Sequence, residues 1–342
     1  MNIAIVGATG AVGHELLRVL EQRRTPVASL RLFASERSAG ATLAFRHTLL
    51  KVEPLTRSAF DAAGFDFAFF SAGASVSRDY APIAVRNGAV VIDNSSAFRM
   101  DAGVPLGVPE INAEAIRAHC GIIAVPNCTA IILCMAVHPL HRLGRIRRIV
   151  VSTYQAISGA GARALAELQE QTRQAAAGQP VTPKVLPHPV IHNVFSHNTA
   201  IGPDGYNGEE TKVVHETRKI LGDDAILVSP TCVRVPVPRA HAESINLTFE
   251  RPVTVAQARE ALSRAPGVRL VDDRERNTFP MPVDASGGDD VLVGRIREDL
   301  SQPDGRGLNL FACGDQLRKG AALDAVQILE VLTKVGSRSQ GA

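Results

Sequence analysis

Tryptophan is absent from the 342 residues, and aromatic residues together make up only 4%. A surface that stacks on nucleic-acid bases is built from aromatic side chains, so this scarcity argues against one. The excess of positive charge is small too, +3 at pH 7, and gives no basic footprint for nucleic acid. No apolar run reaches the length needed to span a bilayer. The chain opens directly on a strand-like run, Asn2–Val6, without the basic lead of a signal peptide. Cysteines are few and scattered: Cys120, Cys128, Cys134, Cys232 and Cys313. An odd, dispersed set suits free thiols in a reducing compartment, so the expected location is the cytoplasm. What remains is ordinary for a globular protein, 45% hydrophobic and 21% charged, with length enough for two domains. Small anionic substrates stay open, because a few placed Arg and Lys suffice for them.

Residues 1–125 alternate buried-strand patterns with helical ones. Ile3–Val6, Ser29–Phe33, Phe65–Ser71, Ala89–Ile92 and Gly121–Val125 read as strands, and Val12–Gln22, Ser75–Asn87 and Ala113–His119 as helices. That alternation predicts a parallel sheet covered on both faces. From about Arg145 longer strands are expected at Arg148–Tyr154, Cys232–Val237 and Ser244–Glu250, with helices at Ala162–Ala177 and Glu209–Leu221. This is an α+β pattern. Gly320–Val335 reads as an amphipathic helix, predicted to pack back onto the first domain, and Ser337–Ala342 as a frayed tail.

Strand, Gly7, Gly10, Gly13 and helix follow one another in Ile3–Leu17. Glycines there permit a tight turn and close approach of a pyrophosphate, which the helix N-terminus favours; a purely structural turn is the plain alternative. After the second strand come Ser35, Glu36, Arg37 and Ser38. An acid favours the ribose hydroxyl of NAD, and an Arg among hydroxyls the 2′-phosphate of NADP. Arg37 between two serines favours NADP, although a solvated loop would look the same.

Cys128 stands in GIIAVPNCTAIIL, at a sharp turn from strand to helix. A thiol at a helix N-terminus is favoured as thiolate, the reactive form, and nearby N–H groups could hold an oxyanion. A buried structural cysteine is the alternative. Further polar groups stand beside apolar strands: Arg99, Gln155, and Arg234 and His241 on or next to one strand. Glu209 and Lys212 share one face at a helix start. Each has a structural explanation if taken singly, such as a surface ion pair or a satisfied core histidine. Cys134, His138 and His141 fall on one helical face, but the helix is apolar and no metal is expected. His192 and His197 read as surface or interface residues.

Seven segments, in order and spanning nearly the whole chain, resemble aspartate-semialdehyde dehydrogenases: GATGAVG from Gly7, NSSAFRMDAGVPLGVPEIN from Asn94, PNCT from Pro126, YQAISGAG from Tyr154, YNGEETK from Tyr206, RVPVPRAH from Arg234 and GDQLRKGAA from Gly314. The resemblance implies a Rossmann-like NADP-binding domain of residues 1–127 and 314–342, and a catalytic and dimerisation domain of 128–313. It implies Cys128 as nucleophile with Asn127 beside it, His241 as acid/base and Gln155 as the residue orienting substrate. Arg99 and Lys212 would bind phosphate, Arg234 the substrate α-carboxylate and Glu209 its amino group. Gly7, Thr9, Gly10, Ala11, Val12, Arg37, Ser38, Ser158, Gly159 and Gln316 would contact NADP. The implied reaction is reduction of L-aspartyl 4-phosphate to L-aspartate 4-semialdehyde, with release of phosphate, by a homodimer. In one departure, Ala130 follows Thr129 where a second hydroxyl is common.

Two rival readings share part of this pattern. N-acetyl-γ-glutamyl-phosphate reductase shares the thiol chemistry, but its blocked substrate amine would leave Glu209 little to do. A catalytically silent structural paralogue should have lost the thiol or the base, and both are here.

Overall fold

The computed structural model describes residues 1–333 apart from 62 and 303. Residues 334–335 of the expected C-terminal helix and the expected frayed tail lie outside the described residues. Two units emerge: residues 1–127 with 321–333, and Cys128–Gly320. Residues 314–320, expected with the first, group with the second. The reason is local, since Gly314 pairs with His241 and Gln316 accepts the Ala240 N–H.

The first unit begins β1 (Asn2–Val6), α1 (Ala11–Gln22), β2 (Ser29–Ala34), β3 (Thr42–Phe45) and β4 (Thr48–Pro54). It continues β5 (Phe67–Phe70), α2 (Ala74–Arg86), β6 (Val90–Asp93), α3 (Pro109–Arg117) and β7 (Ile122–Ala124). The sheet order is β3-β4-β2-β1-β5-β6-β7. All pairs are parallel except β3 with β4 at the edge. From β4 to β7 this is the doubly wound order, whose switch point lies between β1 and β5, where such sheets bind ligands. The strands are apolar on both faces, as burial between helix layers requires; Ile3, Ala4, Ile5, Phe69 and Phe70 are fully buried. The β3–β4 hairpin was not foreseen. Its turn, Arg46-His47, carries no glycine, and Arg46 itself takes the left-handed φ of +54°.

The second unit contains α4 (Cys128–Gly144), β8 (Ile146–Gln155), α5 (Ala162–Ala176), β9 (Phe195–Ser196), α6 (Gly208–Leu221), β10 (Leu227–Arg234) and β11 (His241–Phe249). After these come α7 (Val255–Ser263), β12 (Val268–Leu270), α8 (Pro282–Ala285), β13 (Val291–Glu298) and β14 (Gly307–Gly314). Its mixed sheet runs β12-β13-β14-β11-β8-β10-β9. Helix α4 is apolar nearly all round and buried from Thr129 to Val137, packed on the sheet and against α6 and α7. Helix α6 starts where it does because Asn207 and Glu210 form a reciprocal capping box, and ends at Gly222 in the left-handed conformation.

The chain then returns to the first unit as α9 (Leu323–Thr333). It packs on α1, α3 and β6, as its apolar spacing predicts, and an Arg23–Glu330 ion pair joins it to the end of α1.

Candidate active site

Strand polarity explains how distant residues meet in the second unit. Strands β8 and β10 are parallel, so Gln155 and Arg234, their last residues, are register partners. Strand β11 is antiparallel to β8 and starts at the same edge, with His241. Arg234 and His241, expected on or next to one strand, therefore belong to two strands with β8 between them.

Cys128 is the first residue of α4, and its Sγ lies 3.5 Å from His241 Nε2. His241 is fully buried, and its Nδ1 accepts the Ala156 N–H at 3.0 Å. That bond fixes the neutral tautomer, with the ring proton on Nε2 toward the sulfur. Burial, and then the neighbouring Arg234, lower the His241 pKa to about 3. Gly320 lies against the base of the same side chain: a Cβ there would sit 2.8 Å from the Cys128 Cβ.

A charged group extends from this pair. Gln155 Nε2 donates to Glu209 Oε1 at 3.1 Å, and Lys212 Nζ to Glu209 Oε2 at 3.1 Å. Thr153 Oγ1 donates to Gln155 Oε1 at 3.0 Å and sets which way the amide faces. Arg234, buried, donates from Nη1 to the Ala156 carbonyl at 3.2 Å and from Nε to Asn198 Oδ1 at 3.3 Å. Burial lowers its pKa while Glu209 pulls the other way. Gly159 has no side chain to separate these groups; a Cβ would meet His241 Cε1 at 3.1 Å and Arg234 Nη1 at 3.2 Å. Ser158 accepts a hydrogen bond from Gln316 Nε2, whose Oε1 accepts the Ala240 N–H at 2.8 Å. Ser158, Gly159 and Gln316 thus belong to the His241 neighbourhood.

Sequence reasoning missed several residues here. His197 is buried, and its charge environment is Arg234, Glu209, Lys212 and His241. Thr199 Oγ1 accepts the Glu209 N–H at 3.0 Å. Glu243, two residues beyond His241 on β11, is fully buried with no hydrogen-bond partner on either oxygen among the described residues. Burial pushes its carboxyl well above the usual range. His141, one of the three groups on a helical face, is committed elsewhere: its Nδ1 accepts the Ile146 N–H, and Nε2 lies 3.7 Å from Asp223.

The first unit holds the glycine loop, Arg37, Ser38, Arg99 and, as its last residue before Cys128, Asn127. The Gly7 and Ala8 N–H groups bond the Phe33 carbonyl, which pins the loop to β2. Gly7 has a φ of +88°, and a Cβ there would meet the Ser71 backbone at 2.7 Å. A Cβ on Gly13 would meet the Ala8 and Gly7 carbonyl oxygens at 2.5 Å. No side chain caps the start of α1 and no acid sits in its first turn. A bare, uncrowded helix N-terminus of this kind fits a dinucleotide pyrophosphate. Thr9, Gly10, Ala11 and Val12 complete this turn, and Arg37 is exposed just beyond β2. Arg99 is buried, donating from Nε to the Val125 carbonyl and from Nη2 to the Asn94 carbonyl.

A dinucleotide-type sheet in one unit and a histidine beside a helix-terminal cysteine in the other suit an oxidoreductase that works through a thiol. A family model for the semialdehyde dehydrogenase NAD binding domain matches residues 2–119, and one for the dimerisation domain of the same proteins matches 137–319. The aspartate-semialdehyde dehydrogenase of Synechocystis sp. is 53% identical over 336 residues, covering 98% of either chain. The crystal structure of aspartate semialdehyde dehydrogenase II from Vibrio cholerae superposes with a TM-score of 0.93 at 43% identity, covering 97% of this chain and 98% of that one. The same Vibrio enzyme complexed with ASA gives 0.93 at 42% identity, with the same coverage. The chain belongs to the aspartate-semialdehyde dehydrogenase family. It is an oxidoreductase built for a nicotinamide cofactor, and no described helix is long and apolar enough to cross a membrane.

Proposed function

We propose that this enzyme reduces L-aspartyl 4-phosphate to L-aspartate 4-semialdehyde with release of phosphate, through a thioester on Cys128. The observation that carries this reading is the Cys128 Sγ to His241 Nε2 distance of 3.5 Å at the first residue of α4. The field of that helix terminus favours negative charge on sulfur. The thiolate attacks the acyl carbon, and the C–O bond to phosphate breaks with its electron pair. Arg234 offers the planar fork that suits the α-carboxylate. Glu209, steadied by Gln155, receives the amino group. Lys212, and Arg99 from the first unit, are assigned to the phosphate, and Asn127 to the acyl oxygen. The nicotinamide cofactor supplies hydride when bound. His241 holds its proton at Nε2, where it stabilises charge on the reacting oxygen and on the departing sulfur.

We assign the cofactor as NADP, on Arg37 and Ser38 beyond β2. The second unit is read as the dimerising one, because Tyr154 and Phe311 form an aromatic pair on its sheet with Tyr154 exposed. Five cysteines, none of them in a disulfide among the described residues, fit a reducing, cytoplasmic setting. The deciding experiment is phosphate-dependent reduction of NADP with L-aspartate 4-semialdehyde, set against N-acetyl-L-glutamate 5-semialdehyde. Faster turnover of the N-acetyl compound would overturn the assignment of substrate.

A further inference from the structure

His197 has no place in the chemistry above, yet it is tied into the same group of residues. Its backbone N–H bonds the Cys232 carbonyl at 2.8 Å, just past the short pairing of β9 with β10. Its Nδ1 accepts the Thr199 N–H at 3.4 Å, so that nitrogen carries no proton. The Thr199 hydroxyl lies 3.2 Å from Nδ1 and 3.4 Å from Asn207 Oδ1, shares its one proton between these two acceptors, and accepts the Glu209 N–H at 3.0 Å. A line thus runs from the imidazole through one hydroxyl to the first turn of α6, where Glu209 projects, and it supplements the Asn207 cap, whose Oδ1 accepts the Glu209 and Glu210 N–H groups at 3.0 Å. The ring is neutral at physiological pH, because burial and the nearby Arg234 lower its pKa to about 4. It therefore adds no charge to compete with Glu209.

We propose that His197 is a positioning residue for the substrate amino group, acting through the Thr199 hydroxyl to hold α6 and aim Glu209. This rests on the role given to Glu209 above. The side chain works as an acceptor at Nδ1, not as a donor at Nε2. Asparagine places an acceptor close to Nδ1, whereas glutamine reaches the position of Nε2.

The test uses the full-length enzyme with three substitutions, His197→Ala, His197→Asn and His197→Gln. Steady-state curves for the semialdehyde are measured beside thermal melts and NADPH titrations that report folding. A mis-aimed charge-assisted hydrogen bond weakens binding roughly tenfold. His197→Ala is expected to raise KM for L-aspartate 4-semialdehyde by about that factor, with kcat little changed. His197→Asn should recover most of the loss and His197→Gln should not. If His197→Ala fails to fold, Thr199→Val carries the test, since it deletes the hydroxyl and keeps the shape. The double variant should be no worse than the worse single one, because both cut one line. Rescue by Gln instead of Asn would mean direct substrate contact through Nε2 and would overturn the proposal. So would additive losses, or KM values in all variants within twofold of the parent. A parent enzyme that fails to turn over L-aspartate 4-semialdehyde would instead sink the functional reading on which this rests.

Discussion

Gly320→Ala tests the site through one methyl group. The added Cβ would lie 2.8 Å from the Cys128 Cβ and 3.3 Å from its Cα. Carbon atoms pack at about 3.5–4.0 Å, so the nucleophile must give way by several tenths of an ångström. Overpacking of this size costs about 1–3 kcal/mol. Replacing glycine by alanine in a helical turn returns up to ~1 kcal/mol. The net loss of stability is then about 0–2 kcal/mol, or a few degrees in Tm. Activity should suffer far more, because a misplacement of ~1 Å can lower the rate about a hundredfold. Gly103→Ala is the control, since a Cβ there meets nothing within 4 Å. The assay pairs semialdehyde oxidation with thermal melts and with the rate of thiol alkylation. The expected result is a tenfold to hundredfold loss of kcat for Gly320→Ala with Tm lowered by no more than a few degrees, and Gly103→Ala like the parent. Equal kcat in both variants would refute the view that Cys128 is held to a narrow position.

Cys128→Ser should keep fold and cofactor binding while losing nearly all turnover, because a hydroxyl without a dedicated base is a weak nucleophile; turnover within tenfold of the parent would end the nucleophile assignment. Arg234→Leu should weaken the semialdehyde, and Lys212→Leu mainly phosphate, each by roughly tenfold to a hundredfold. Paired saturation curves check this, and a Lys212 variant that moves only the semialdehyde curve contradicts it. His241 and His197 are kept neutral by the fold, with pKa values of about 3 and about 4, against about 6.5 in an unfolded chain. Their neutral burial favours folding fully above pH 6.5 and loses that contribution as pH falls toward 4, by up to about 1.4 kcal/mol per pH unit for each. Urea midpoints that stay flat from pH 6.5 to 4 would count against it. For Glu243 the sign is reversed, since a raised carboxyl pKa costs stability as pH rises. Glu243→Gln should therefore gain stability over the parent between pH 5 and pH 9, as read by denaturant melts; a constant difference across that range rejects the idea.

The parts legible in the sequence were those with a local signature. The glycine loop follows directly on β1, and Cys128 stands at a strand-to-helix turn, so period and turn chemistry place both. The C-terminal helix could be assigned from its apolar spacing. Edges and loops were harder. In β3 and β4 exposed and buried residues mix over short runs, and the Arg46 turn lacks the residues that mark hairpins. The split of Arg234 and His241 onto separate strands depends on β8 coming between them, a long-range pairing that short-range pattern does not carry. His197 lies in a stretch without periodicity, and only the pairing of β9 with β10 brings it inward. Glu243 looks from sequence like a solvated charge on a strand. Its burial follows from facing the same way as His241, two residues earlier.

The placement of Gln155, Arg234 and His241 at strand ends has a consequence for which changes of length the gene can absorb. Removing one residue within β10 would draw Arg234 back by about 3.3 Å and turn its side chain to the opposite face of the sheet. A lost residue within β8 or β11 would do the same to Gln155 or His241. The stretch between α5 and β9 carries no strand pairing, and Glu167 and Gln171 of α5 hold it only from Lys184 to Ile191, so added length before that, at 177–183, costs little closure entropy. Natural variation in length among relatives should therefore gather in that connection and leave β8, β10 and β11 untouched.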